Sequence, residues 1–525
     1  MSNSGSEGWQ DCGGFEKVVE KYSSVTDKAT RGCIKDLFPA PSLPPSRLCP
    51  THWPGISHES TQALRTSLKD NHKFHVFFDP RGFHNHVTHY LLALWAMGAD
   101  AEIINAAYKH ESAMQKLDYE SPEAITAENF RDHLGDEKYY NAYLKFFTEA
   151  VRDKDLWEIL EEYVFDEKAN FDESGEKQPE MLNRFLDGLL HPMIHVGYGC
   201  EFGLPGMIVE GLASTAVHKA SASPLIPRSL WASTPVSALE SLTSRLPSAL
   251  SLASSTPASA AKNVHAFTIL ARILKDPEFD AVSQRHDISI FTNVVETHNE
   301  ALNKHVNAWT YNRSDPKEVE RKIEELVWAN AIIYGIGGWT KGGDFNTDFF
   351  QMHLVTSSLF LTSIAAKLKP ASQEIFLRSY FVSSLVWWIG RGRPAFDIAG
   401  FFADDTAFPD PHGPFPTPHA KSLPSPASPK ATTPNPWLAI IQQTLVIPDD
   451  HLPKLQRALA HYGSLYGARA ACQPDFADTE LPGAEKLDGT LFIRTAGLTN
   501  RRLLPGKDLN LEAAGFWDRK GFYKA

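Results

Sequence analysis

Histidine is the one chemically versatile residue in excess, at 21 of 525 positions, and three groups of histidines stand out by their spacing. The first runs Gly82-Phe83-His84-Asn85-His86-Val87-Thr88-His89-Tyr90 directly into the apolar stretch LLALWAMGA. A helix starting near His84 places His86 and His89 three residues apart on one face, with Tyr90 beside them. Two imidazoles on one face supply two ligands to a metal ion. Solvated histidines at a polar helix start are the plainer reading of the same spacing.

The second group is His191-Pro192-Met193-Ile194-His195-Val196-Gly197-Tyr198-Gly199-Cys200-Glu201. His191 and His195 stand at i and i+4, Pro192 suits a first helical turn, and Gly197 and Gly199 read as breakers that leave His195 near a helix end. Glu201, Glu210 and His218 follow on the next helical stretch. Histidines capping carbonyls explain this segment equally well. The third group is Asp348–Leu361, apolar on every face as in a helix buried all round, with His353 at its centre. An unpaired polar group there costs on the order of 1–3 kcal/mol, so His353 requires a partner. A satisfied core histidine is the commoner outcome. Three such motifs on three helices nevertheless favour one convergent site, as in helical bundles whose cofactors sit between inward-facing side chains.

On this reading His86, His89, His195 and His353 hold one metal. Imidazole suits Fe, Zn, Cu or Ni and does not choose among them. Without a carboxylate ligand the centre keeps its double charge and favours a phenolate. Glu201 or Glu210 would convert it to two histidines and one carboxylate, whereas Asp348, five residues before His353, lies on another face. Tyr90 and Tyr198 are candidate donors behind the ligands, and Tyr90, Tyr198 and Glu201 are the candidate catalytic side chains.

Other chemistries have little support. Gly335-Ile336-Gly337-Gly338-Trp339-Thr340 lacks the last glycine of a dinucleotide fingerprint and follows a helical run, so it reads as a flexible loop, and no flavin is expected. Gly390-Arg391-Gly392-Arg393-Pro394 reads as a basic helix C-terminus before a phosphate site. No GxSxG elbow occurs. The cysteines Cys12, Cys33, Cys49, Cys200 and Cys472 are odd in number and form no CxxC pair. Lys plus Arg is 51 and Asp plus Glu 63, a net charge of −12, which gives no footprint for nucleic acid or anionic membrane. The polar N-terminus has no apolar signal region, and the apolar windows 349–366 and 380–389 are interrupted or short. These features read as a reduced, cytoplasmic chain with no membrane span.

The elements that must position these residues are mostly helices, giving an all-α fold with one large helical domain and inward-facing histidines. Residues 1–70, polar and Pro-rich, read as a loosely ordered lead-in, and 71–404 as the helical domain. Ser121-Pro122 looks like a helix start, as does Asp315-Pro316 with Glu318. A Ser/Ala/Pro-rich insertion occupies 221–262, and a second Pro/Ser-rich linker 405–437. Residues 438–525 form a helical C-terminal segment packed on the main domain. Alternation at 73–78 and 490–496 hints at strands.

The run FHNHVTHYLLALWAMGAD, then HPMIHVGYGCEFG, DFFQMHLVTSSLFL and a terminal RGRP resembles the questin oxidase-like family, over roughly residues 70–400. These proteins are known from fungal polyketide clusters. The resemblance implies an oxidoreductase acting with O₂ on an anthraquinone or related aromatic polyketide, by Baeyer–Villiger-type oxygen insertion or oxidative ring cleavage. It implies NADPH as reductant and non-haem iron in the family. Oxygen insertion needs a flavin or a redox metal, and the flavin fingerprint is absent, so iron is preferred. The chain departs from relatives that carry a Trp-Lys pair before the RGxP motif: no lysine lies between 370 and 394. A zinc-dependent hydrolase of an ester or lactone, and a non-catalytic helical binding protein, are the competing readings.

Overall fold

The computed structural model describes residues 36–175, 177–232, 263–285, 287–403, 417–423, 425–504 and 517–523. Every regular element among them is helical, and β pairing is confined to isolated bridges at Phe74–Leu117, Phe77–His84 and Asp348–Asp518. The longer helices are α1 (His58–Asn71), α2 (Val87–Ala96), α3 (Ala101–Ser112), α4 (Tyr140–Asp153), α5 (Asp187–Phe202), α6 (Pro205–Val217), α7 (Ala266–Lys275), α8 (Ser289–Asn307), α9 (Glu318–Ala331), α10 (Phe349–Ser358), α11 (Pro370–Gly390), α12 (Pro436–Thr444), α13 (Leu452–Tyr466) and α14 (Thr490–Leu503).

The helices that matter for chemistry are those with no polar face. All residues of α2, α6 and α10 are buried, so these helices sit inside the bundle. α5 crosses α6 closely because two glycines leave room, and a third admits Phe360. A Cβ on Gly199 would come within 2.5 Å of Ile208, and one on Gly211 within 2.5 Å of Val196. A Cβ on Gly197 would lie 2.4 Å from Phe360. Gly197 and Gly199 therefore permit close packing and do not break the helix, which runs on to Phe202 with His195 in its interior.

Several local expectations change. The segment 1–70, read as a loose lead-in, contains α1, started by a Ser57–Ser60 capping box. Ser121 begins no helix; its hydroxyl instead accepts from the backbone N–H of Ala142 at 3.0 Å and so caps α4 from outside. Residues 490–496 belong to α14, and 73–78 form bridges without a strand. The loop expected at Gly335–Thr340 starts later: one π turn, Ile332–Ile336, prolongs α9 within the core, and a turn at Gly337-Gly338 follows it. Of the insertion 221–262, residues 233–262 lie outside the described residues, while 223–230 form two 3₁₀ turns that bury Leu225 and Ile226. Residues 404–416 and 424 of the second linker also lie outside them. No helix among the described residues is long and apolar enough to cross a membrane.

Two buried charges fix α10. Asp348 accepts from the backbone N–H groups of Phe350 and Gln351, both at 3.0 Å, and from Arg391 Nη2 at 2.8 Å. Both side chains of this pair are fully buried. Arg391 thus ties the end of α11 to the start of α10, and Arg393 bonds the carbonyls of Ile273 and Asp276. The RGRP motif is structural, as a helix terminus should be.

Candidate functional site

Four segments distant in sequence bring a cluster of histidines together in the core. His86 ends the approach to α2, and His89 lies one turn into that helix. His191 follows an unusual turn at the start of α5. Gly188, Leu189 and Leu190 take φ of 54°, 59° and 67°, the left-handed region that costs a non-glycine residue roughly 1–2 kcal/mol. The turn aims the Gly188 carbonyl at His191 Nδ1, 2.6 Å away. A Cβ at Gly188 would stand 2.6 Å from His218 Nε2, so glycine is required there on both counts. α10 presents His353, and the residues just before α13 present Asp450 and His451.

The rings form a continuous contact chain: His191 stacks on His84 and His86, and the contacts to His451 and His353 are edge-on or tilted. Centroid separations are 4.1 Å for His84–His191, 4.8 Å for His86–His191 and 4.8 Å for His86–His451. His353 lies 5.1 Å from both His191 and His451. One nitrogen of each ring is committed to an oxygen. His86 Nδ1 lies 2.5 Å and His451 Nδ1 2.8 Å from Asp450, while His353 Nδ1 is 2.7 Å from the Phe349 carbonyl. An imidazole nitrogen facing a carbonyl or carboxylate carries the proton, which leaves the other nitrogen bare. The bare Nε2 atoms of His353 and His451 are buried without a hydrogen-bond partner. Those of His86 and His191 face each other at 2.7 Å.

Burial keeps the His86, His191 and His353 rings neutral. Burial drives the pKa of His86 down to about 3, and those of His191 and His353 well below the ordinary value, with neighbouring positive groups adding to the effect. Two neutral rings with both Nδ1 atoms protonated cannot hydrogen-bond through Nε2; a proton or a metal ion between them makes the contact favourable. Bonds of about 2.1 Å place two adjacent ligands on one ion about 3 Å apart, close to this spacing. An oxygen anchor behind each imidazole is also the usual support of a metal-bound histidine. His86, Asp450 and His451 offer ligand atoms within 4.8 Å of one another. Burial raises the Asp450 carboxyl, but His451, Lys454 and His86 outweigh it and hold the group ionised.

The residues expected from sequence divide. His86 and His353 are in the cluster. His89 borders it, 6.0 Å from His86 between centroids, with its Nδ1 buried and bare. His195 has no nitrogen left: Nδ1 accepts from His89 at 3.0 Å and Nε2 donates to Glu210 at 2.8 Å. Glu210 also takes His72 Nδ1 at 2.6 Å. Burial pushes this carboxyl up, but the two histidine hydrogen bonds bring it to about 2. Tyr90 donates to the Ile447 carbonyl at 3.0 Å, and Tyr198 stacks on His89 at 5.2 Å. Glu201 is turned away from the histidines into a buried ion pair with Arg457. His191, His451 and Asp450 complete the cluster. His191 was visible in its motif, and the run Asp449-Asp450-His451 carried the chemical signal for the other two, hidden by its place in the C-terminal segment.

The profile of the family described as questin oxidase-like matches residues 83–459. Over 186 residues the chain is 36% identical to oxidoreductase AflY of Aspergillus parasiticus, covering 33% of this chain and 36% of that protein; the match spans little more than a third of that relative. Questin oxidase of Aspergillus terreus is 24% identical over 76% of this chain and 79% of its own length. Baeyer-Villiger monooxygenase dmxR6 of Cryptosporiopsis sp. is 27% identical over 61% and 67%.

Proposed function

The chain belongs to the questin oxidase-like family, and on that premise we propose that it is an oxidoreductase that opens or expands a ring of an aromatic polyketide of the anthraquinone type. The reaction is a Baeyer–Villiger-type oxygen insertion or an oxidative ring cleavage with O₂, and NADPH is the reductant the family resemblance implies. The observation that supports the metal-centred form of this reading is the Nε2 contact between His86 and His191, with the unpartnered Nε2 atoms of His353 and His451 on neighbouring rings and each ring anchored from behind.

His86 and His191 would hold a non-haem iron through Nε2, with His353 and His451 as the adjoining rings, and Asp450 is the acid placed to balance its charge. Bound iron supplies the one-electron chemistry with O₂ that side chains lack. The chain's own groups do the rest. Asp450, the Gly188 carbonyl and the Phe349 carbonyl hold the tautomers that leave Nε2 bare. Phe349 and Tyr90 keep the surroundings apolar, which strengthens every charge interaction inside. Burial and the Asp450 charge raise Glu111 to about 7, so it can exchange a proton near neutral pH.

The test is elemental analysis of protein purified without chelator, reconstitution with Fe(II) under anaerobic conditions, and assay of hydroxylated anthraquinones under O₂. Iron near one per chain and O₂-dependent turnover are expected, both lost in His353→Ala. Zinc with O₂-independent ester hydrolysis, or no metal uptake, would overturn the reading.

A further inference from the structure

The last described residues, 517–523, lie as a strap against the histidine cluster. Trp517 Nε1 donates to Asp449 at 3.0 Å, and its ring stands 6.2 Å from His451. Asp518 accepts from the Thr347 N–H at 2.9 Å and pairs with Arg502 at 3.0 Å. Arg391 Nη2 donates to the Arg519 carbonyl at 2.7 Å, and the Phe522 N–H donates back to the Arg391 carbonyl at 2.8 Å. The backbone of the strap is thereby held while the Arg519 side chain projects outward.

That side chain is exposed, and none of the described carboxylates pairs with it. The charged groups that act on it most are Arg81 and Arg391. Each of these already has its acid, Asp79 for Arg81 and Asp348 for Arg391, so Arg519 is the guanidinium left over. It lies over Phe349 at 4.2 Å and within 5.9 Å of Phe83, whose ring also carries Arg81 at 4.7 Å. Phe349 in turn touches His353 and His451, at 4.8 and 4.9 Å between centroids. One aromatic ring therefore separates a surface guanidinium that no described carboxylate pairs from the bare nitrogens of the cluster.

We propose that Arg519, carried by the strap over Phe349 and Phe83, is the specificity residue that recognises the ionised oxygen of an acidic planar aromatic substrate at the surface nearest the histidine cluster. A chain of net charge −12 repels anions in general, so a local excess of arginine is a selective feature. The guanidinium offers a fork of donors matched to a carboxylate and a flat face that stacks on rings. The half-buried Phe83 supplies apolar contact for the body of such a ligand, while buried Phe349 backs the guanidinium. This inference rests on the proposed aromatic substrate.

The experiment is equilibrium binding, by quenching of tryptophan fluorescence, of 9,10-anthraquinone-2-carboxylate and of its neutral 2-hydroxymethyl analogue to the full chain. Wild type should prefer the carboxylate, and the preference should shrink as salt rises from about 50 to about 500 mM. Arg519→Gln should weaken the carboxylate about tenfold and the neutral analogue less than about twofold, with Arg519→Lys in between. Equal losses for both ligands, or no loss, overturn the proposal. If Arg519→Gln fails to fold, the salt dependence of wild type and Arg519→Lys decide it. Binding of both ligands to wild type without charge preference sinks this inference alone; binding of neither sinks the aromatic-substrate reading with it.

Discussion

Nε2 of His86 stands 2.7 Å from Nε2 of His191, and neither nitrogen has a proton to share, because Asp450 and the Gly188 carbonyl hold the proton of each ring on the opposite side. Such a contact is repulsive in the bare protein and becomes favourable around a cation. Metal that binds only the folded chain stabilises it by mass action, by about 2.7 kcal/mol at a hundredfold excess over the dissociation constant. Fe(II) added anaerobically to metal-free protein should raise the thermal midpoint by a few degrees. His191→Ala should abolish that rise while still melting cooperatively. A rise of wild-type size in the variant would place the ion elsewhere.

Asp450 supports two rings at once, His86 at 2.5 Å and His451 at 2.8 Å. Groups that support metal-bound histidines typically contribute 10–100-fold in affinity or activity. Asp450→Asn should therefore weaken metal binding by at least about tenfold in a competition titration with a chromogenic chelator. Affinity equal to wild type would show that the carboxylate has no part in the centre.

The buried pair of Asp348 and Arg391 positions both α10 and the strap. Removing one member leaves the other charge buried and alone, at a cost of about 3–5 kcal/mol. Arg391→Met should lower the thermal midpoint markedly, and adding Asp348→Asn should recover part of the loss. If the double variant melts below both single variants, the pair is not a coupled unit.

His52 and His461 predict how stability responds to acid. Burial, reinforced by the Arg457 charge, lowers both to about 4 from an ordinary 6.5. A histidine depressed in the folded state contributes its full stability above 6.5. As pH falls from 6.5 to 4 the unfolded chain takes up protons that the folded chain refuses, and stability declines. His461→Gln, which keeps a donor for the Leu48 carbonyl now 3.0 Å away, should flatten thermal midpoint against pH across that window. An unchanged slope would contradict the assignment.

Much of this protein was legible in order along the chain. Helical period, the scarcity of strand alternation and the all-apolar helix around His353 specify an all-α core. The motifs at 84–90, 191–201 and 348–361 each reach the site or its edge, because spacing within a helix decides which side chains share a face. Local signals misled where a residue acts across the fold. Ser121 caps a helix that begins at Tyr140, and Gly197 and Gly199 admit neighbouring helices. What only the tertiary structure decided is which histidines meet and which nitrogen of each is bare. Asp450 lies 364 residues from His86, and no periodicity connects them. The tautomers depend on oxygens that packing brings up behind each ring, and Glu201 left the candidate set because Arg457 folds onto it. Spacing selects a face, whereas the partner on that face comes from the packing of distant segments.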